Sequence, residues 1–318
     1  EKPYTDDIVR LSGTIIQAGS KSFATAAKIF NPETRASAYL LYAWCRHCDD
    51  VIDCQNLGYN QGTTLNHDPA QELITLKKKT NDALTGLNTD DPIFYALQKV
   101  VAKNNIPRIY PLVLLDGFAM DVNKKSYQTI DDTLDYCYHV AGVVGVMMSL
   151  IMGAKDDVTL DRACDLGLAF QLTNIARDVI EDAQNGRVYL PEDWLISAGL
   201  NADPNDILQE SNREKIVILV TRLLKEAEKY YDSSLSGLSK LGFRSSWAIA
   251  AAHNAYRQIG IELSKKGTRA WDRRVATTKY QKLISLISGL GLAIYAHTIL
   301  KHTAPYPREG LWTRPKDV

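Results

Sequence analysis

Residues 168–182 read L-A-F-Q-L-T-N-I-A-R-D-V-I-E-D, and residues 42–53 read Y-A-W-C-R-H-C-D-D-V-I-D. Each stretch holds two aspartates four apart: Asp178 and Asp182 in the first, Asp49 and Asp53 in the second. On an α-helix such residues lie one turn above each other on one face. At about 100° per residue, Gln171, Asn174, Asp178 and Asp182 fall within roughly 80° of arc, and Tyr42, Arg46, Asp49 and Asp53 within roughly 60°. The rest of each helix is apolar, with Leu168, Ala169, Phe170, Leu172 and Ile175 around one stripe and Leu40, Leu41, Ala43 and Trp44 around the other. A polar stripe on an apolar helix faces water or lines a polar cavity. Two such helices facing each other would form a cage in which paired carboxylates share a hard divalent cation. Mg²⁺ takes one or two carboxylates, keeps some water and fills its remaining positions with substrate phosphate.

The spacing alone does not single these pairs out, because Asp131/Asp135, Asp157/Asp161 and Asp161/Asp165 share it. Asp131 and Asp135 follow Thr129 near a helix start, where acids suit the helix dipole. Asp157, Asp161 and Asp165 sit in or near the first turns of the next helix, with Asp161 and Asp165 pointing away from the Asp178 stripe. All five acids of these three pairs are expected to be solvated and favoured by the helix dipole.

Periods of 3.6 residues dominate and strand-like alternation is nearly absent, which predicts one all-α domain over residues 1–318, its helices surrounding a central cavity. Asn31-Pro32 opens a helix running to about Asp53, a capping Asn followed by Pro at the first helical position. Further helices are expected near 70–86, 92–104, 108–121, 131–152, 159–183, 206–235, 244–266 and 277–300. Residues 58–69 read as a loop and 302–318 as an irregular tail. The chain has 318 residues with 37 basic and 37 acidic side chains, and this balance argues against a nucleic-acid partner. Five cysteines give no disulfide framework and fit a reducing cytoplasm. Cys45 and Cys48 lack the further ligands of a structural zinc site and are expected to pack as small hydrophobes. The uncharged stretch Leu283–Leu300 reads as a buried or interfacial helix rather than a span.

A diphosphate needs donors besides a cation. Ser20, Lys21 and Ser22 precede a helix start, Arg46 and Arg177 lie beside the acidic pairs, and Arg187 is in the following loop. Each arginine could equally pair with a neighbouring aspartate. Tyr138, Tyr256 and Arg274 are further candidates, and the small residues of 141–146 allow either close helix approach or room for a long apolar ligand.

Taken with D-Y-C-Y-H-V-A-G-V-V-G at 135–145 and the G-R-V-Y-L-P that follows Asp182, these motifs resemble the squalene/phytoene synthase family, its bacterial phytoene synthases above all. The resemblance runs from about Gly19 to the Arg274 region. It implies the isoprenoid synthase fold and head-to-head (1′-1) condensation of two geranylgeranyl diphosphates, through prephytoene diphosphate, to phytoene. It implies Mg²⁺, with Mn²⁺ as an alternative, on Asp49, Asp53, Asn174, Asp178 and Asp182. Lys21, Arg46, Arg177 and Arg274 would support the diphosphate, with Tyr256 and Ser22 as hydrogen-bond donors, and Tyr42 and Tyr138 would shield cations. No nicotinamide cofactor is expected. The apolar product implies peripheral contact with the inner face of the cell membrane, and downstream carotenoid enzymes are candidate partners. A dehydrosqualene or squalene synthase using farnesyl diphosphate, a non-catalytic binding or assembly protein of the same fold, and a plain helical scaffold remain as alternatives.

Overall fold

The computed structural model describes residues 6–56, 59–60 and 68–316, the side chains of residues 21, 22, 55, 56, 59 and 60 excepted. The order is α1 Asp6–Gly19, α2 Lys21–Ala27, α3 Pro32–Ile52, α4 Pro69–Leu84, α5 Pro92–Asn104, α6 Ile109–Val122, α7 Ile130–Cys137, a π-helical turn Tyr138–Gly142, α8 Val143–Ile151, α9 Asp157–Gln184, α10 Glu192–Ser197, α11 Pro204–Leu208, α12 Arg213–Leu238, α13 Phe243–Lys266 and α14 Lys279–Thr298. The only strands among the described residues are Gln55–Asn56 and Tyr59–Asn60, paired antiparallel. The rest of the expected 58–69 loop lies largely outside the described residues.

One local rule starts four helices: an Asn or Asp cap followed by Pro. Asn31, Asp68, Asp91 and Asp203 each accept a backbone N–H of the first turn, and Pro32, Pro69, Pro92 and Pro204 follow them. The proline sits where its missing N–H would have had no helical partner. α9 is 28 residues long, about 42 Å at 1.5 Å per residue, and forms the axis of the bundle. Leu160, Leu168, Leu172, Ile175 and Val179 bury it against its neighbours, α8, α12 and α13 among them. Gly145 and Gly167 set the distance between α8 and α9. A Cβ on Gly145 would stand 2.4 Å from the Ala163 carbonyl, and one on Gly167 would stand 2.5 Å from that of Ala141. The small residues of 141–146 therefore serve close helix approach, and they also line the cavity described below.

Three sequence expectations change. The helix expected over 131–152 contains the π turn, where one hydrogen bond spans an extra residue. The helix expected over 206–235 breaks at Gln209, whose extended backbone ends α11 before α12 begins. Asp161 and Asp165 are not solvated: they are 6% and 0% exposed. Both bind the tail. Arg308 forks onto Asp165 with two contacts of 2.8 Å, and Arg314 reaches Asp161 at 2.8 Å and the more exposed Asp157 at 2.9 Å. After a short 3₁₀ turn at Leu300–His302 the tail has no regular element, as expected, yet these arginines tie it to α9. Trp312 adds its ring to that of Tyr138 and donates its backbone N–H to the Tyr230 hydroxyl.

Candidate active site

A cavity of about 860 Å³ opens between the C-terminal ends of α3 and α9 and runs along α9 toward its start. Its size is at the upper end of the ~300–1,000 Å³ usual for small-molecule sites. The two aspartate pairs meet at one end. Asp49, Asp53, Asp178 and Asp182 all line it, with Ser20, Tyr42, Arg46, Gln171, Asn174, Arg177, Arg187, Tyr256 and Arg274. The stripes predicted on the two helices thus face one space. The side chains of Lys21 and Ser22 lie outside the described residues; their neighbour Ser20 caps α2 by accepting the Phe23 N–H at 3.3 Å.

Arginines pair three of the four acids. Arg46 sits 3.1 Å from Asp49 and 2.6 Å from Asp50, and Arg187 crosses from the loop after α9 to Asp53 at 2.6 Å. Asp178 takes Arg177 at 2.5 Å and Arg274 at 3.0 Å. Asp182 has no ion-pair partner among the described residues. Its carboxyl is pushed up to about 8, by burial first and then by the charge of Asp178, with Arg187 opposing. Burial likewise lifts Asp49 to about 7; Arg46 opposes this, and Asp53, Asp50 and Asp121 add to it. Crowded carboxylates only partly open to water resist ionisation.

The donor set fits a hard cation. The Asn174 side-chain oxygen is buried and accepts no hydrogen bond among the described residues, so an oxygen ligand stands ready in the same stripe. Among the described residues no three His, Cys, Asp or Glu side chains gather closely enough to hold an ion alone. A cation here would complete its shell with oxygens of a bound diphosphate.

Beyond the acids the lining turns apolar and aromatic. Phe23 stacks on Tyr42 at 5.8 Å between ring centres, and Phe170 on Tyr256 at 4.2 Å. Leu114, Phe118, Val140, Val144 and Met148 continue the wall. Tyr42 approaches the end of α1 so closely that a Cβ on Gly19 would stand 2.6 Å from its hydroxyl. Burial raises the Tyr42 phenol far above its ordinary range, so it stays neutral.

Tyr138 is corrected. It is 1% exposed and absent from the cavity wall, its ring lying against Trp312 and His139. Tyr136 lines the cavity instead. Two residues on a helix are about 200° apart, so the two tyrosines face opposite ways. Sequence reasoning also missed Asp121 on α6, which lines the cavity and accepts the hydroxyls of Tyr136 at 3.0 Å and Tyr189 at 2.7 Å. No second acid at helical spacing marked it. Phe170 read only as part of the apolar surround of the acidic stripe, and Phe23 was not singled out.

The squalene/phytoene synthase family model matches residues 16–281. The chain belongs to the squalene/phytoene synthase family. This is a family of prenyltransferases that use prenyl diphosphates and generally depend on a metal. The chain is 49% identical to a 15-cis-phytoene synthase of Pantoea ananas, over 93% of this chain and 94% of that protein. It is 48% identical to one of Paracoccus sp. strain N81106, over 97% and 98%. A dehydrosqualene synthase in complex with ligand superposes with a TM-score of 0.79 at 29% identity, covering 90% of this chain and 96% of that one. A squalene synthase of Alicyclobacillus acidocaldarius gives 0.70 at 22% identity, over 83% and 97%, a likeness of fold.

Proposed function

We propose that this cavity joins two geranylgeranyl diphosphates head to head, through prephytoene diphosphate, to phytoene, with release of diphosphate. The observation that carries the reading is the meeting of both aspartate pairs and four arginines at the head of a long apolar cavity, in a chain about half identical to phytoene synthases along nearly its whole length.

Asp49, Asp53, Asp178, Asp182 and the Asn174 oxygen would hold Mg²⁺, with Mn²⁺ as the alternative. Bound there, the ion supplies positive charge to a leaving diphosphate. Arg46, Arg177, Arg187 and Arg274 now lie on carboxylates. With those carboxylates turned to a cation, the guanidiniums would be free to hold phosphate oxygens, and Gln171 and Tyr256 would donate beside them. The rings of Phe23, Tyr42, Phe170 and Tyr256 face the space below the acids, where an allylic cation would form. Aromatic faces stabilise such cations. The apolar wall excludes water that would otherwise trap them as alcohols.

Incubation of the purified protein with geranylgeranyl diphosphate and Mg²⁺, without nicotinamide cofactor, tests the reading. A forty-carbon hydrocarbon that disappears with EDTA is expected. Product from farnesyl diphosphate alone would overturn it in favour of a dehydrosqualene or squalene synthase.

The same reading places the protein in the cytoplasm against the inner membrane face. α14 packs on α13 through Gly289, where a Cβ would stand 2.6 Å from the Ala251 nitrogen. Its other face exposes Tyr280, Leu283, Ile284, Ile287, Ile294 and Tyr295, between Lys279, Lys282 and Lys301. An apolar stripe with basic flanks suits an anionic bilayer surface. The second helical stretch of comparable length and hydropathy, Ile130–Ile151, is mostly buried in the core. Flotation with anionic vesicles, lost in Ile284→Glu/Ile287→Glu, is the expected result; flotation unchanged by those substitutions would remove α14 from the reading.

A further inference from the structure

The cavity stripe on α9 does not stop where the acids stop. Gln171, Gly167, Ala163 and Thr159 continue it to the opposite end of the helix, where Arg162 joins the lining from the side of α9 that meets α12. There α8, α9 and α12 close together, and the lining becomes Ser149, Met152, Arg162, Gly237 and Leu241. Sixteen residues separate Arg162 from Asp178, a rise of about 24 Å along the helix. That is the scale of an extended twenty-carbon prenyl chain.

Arg162 is an unusual residue for the end of an apolar tunnel. It is 6% exposed. One terminal nitrogen donates to the Ser233 hydroxyl at 2.5 Å and to the Ser233 carbonyl at 3.2 Å, and the other donates to the Tyr306 carbonyl of the tail at 2.7 Å. The Ser233 hydroxyl in turn donates a hydrogen bond to Asp165, the acid that Arg308 grips. The Arg162 stem needs Gly237, since a Cβ there would stand 2.8 Å from Arg162 Cβ. The guanidinium is thus fixed from behind by α12 and the tail. Its Nε and the Ser149 hydroxyl, both buried and both on lining residues, have no hydrogen-bond partner among the described residues. A leucine would have filled this place with less burial cost.

We infer that Arg162 is the end stop of the prenyl pocket and selects the length of the prenyl chain. The inference rests on the prenyl diphosphate reading above. With the diphosphate held at Asp49 and Asp178, an apolar chain terminus meets a guanidinium whose terminal nitrogens are already bonded. It cannot thread past without breaking the Ser233 and Tyr306 contacts. A chain one isoprene unit shorter leaves the floor unfilled. The tail is then the back wall of the pocket, a specificity element as well as a structural one.

The test reads binding rather than turnover. Thermal stabilisation by the unreactive S-thiolodiphosphates of farnesyl, geranylgeranyl and geranylfarnesyl chains, with Mg²⁺, gives an apparent affinity for each length. The wild-type protein is expected to prefer the twenty-carbon analogue. Arg162→Met keeps the stem and removes the fixed charge; its preference should move toward the twenty-five-carbon analogue by about tenfold or more. Arg162→Lys should retain the wild-type order even if it melts earlier. Ser149→Leu fills the floor and should favour the fifteen-carbon analogue by about fivefold. Length ratios within about twofold of wild type in Arg162→Met and Ser149→Leu, with only stability lost, would overturn the inference. If Arg162→Met does not fold, Ser149→Leu decides by itself. Length-selective binding by a protein that forms no phytoene would sink the reaction and leave the end stop standing; phytoene formation with unaltered length ratios would do the reverse.

Discussion

The two halves of α9 carry aspartates at the same spacing and use them in opposite ways. Near its start, Asp157, Asp161 and Asp165 meet Arg308 and Arg314, arginines of the chain's own tail. Near its end, Asp178 and Asp182 meet the Asp49 pair across an open cavity. At the first site the charges are matched within the protein, and the innermost acid, Asp165, holds a two-pronged arginine and a serine hydroxyl. At the second site acids crowd together, Asp182 has no ion-pair partner among the described residues, and its ionisation is opposed by burial and by Asp178. Where the chain completes an acidic cluster, the cluster holds structure. Where it leaves the charge unbalanced, the cluster is available to a ligand.

The largest effect that would sharpen this contrast is on turnover. Asp178→Ala should lower phytoene formation by at least about 10³-fold, and because it also strands the Arg177 guanidinium it should melt somewhat earlier than the wild type. An active Asp178→Ala protein would break the comparison outright. Asp165→Ala should do the opposite in kind. It strands the buried Arg308 guanidinium and is expected to cost about 3–5 kcal/mol of stability, read by urea unfolding. An Asp165→Ala protein as stable as the wild type would mean that the tail is not held by that pair.

A smaller effect concerns pH. The Asp49 and Asp182 carboxyls are raised in the folded protein, to about 7 and about 8. The native state therefore holds protons that the unfolded chain has already lost. Stability of the metal-free protein should be greatest near the unfolded carboxylate range and fall as pH rises through 7 to 8. Asp182→Asn should remove part of that fall and stabilise the metal-free protein at pH 8 by on the order of 1–2 kcal/mol. The same substitution should weaken Mg²⁺-dependent binding of a prenyl diphosphate analogue. In the wild type that binding should tighten with rising pH over the same window, since the ligands must be deprotonated. A pH-independent melting temperature without metal would contradict the crowding argument. The smallest effect is expected at Tyr138→Phe: its hydroxyl is buried with no hydrogen-bond partner among the described residues and its ring is turned from the cavity, so activity should stay within about twofold and stability should not fall. Substantial loss of turnover would restore Tyr138 to the site.

Most of the helical frame was legible because caps, prolines and apolar periods act within a few residues. Asn31-Pro32, Asp91-Pro92 and the long apolar period of α9 needed no tertiary information. The acidic stripes were legible for the same reason, since a helix fixes which residues share a face. Two things were not. Helix phase does not say what a face will meet, so Asp161 and Asp165 read as solvated when Arg308 and Arg314, more than 140 residues later, neutralise them. Nor did proximity in sequence place Tyr138, which sits two residues from a cavity-lining tyrosine and faces the tail.

The sequence by itself determined the helices, the matched polar stripes and the family to which the chain belongs, because each is written in short-range spacing and in motif order. Only the tertiary structure decided which of two identically spaced acid clusters is closed by the chain and which is left open. It alone brought Asp121 to the site and put Arg162 at the far end of the cavity. Those outcomes depend on which distant residues fill the low-dielectric space around each charge, and residue spacing along one helix carries no record of that.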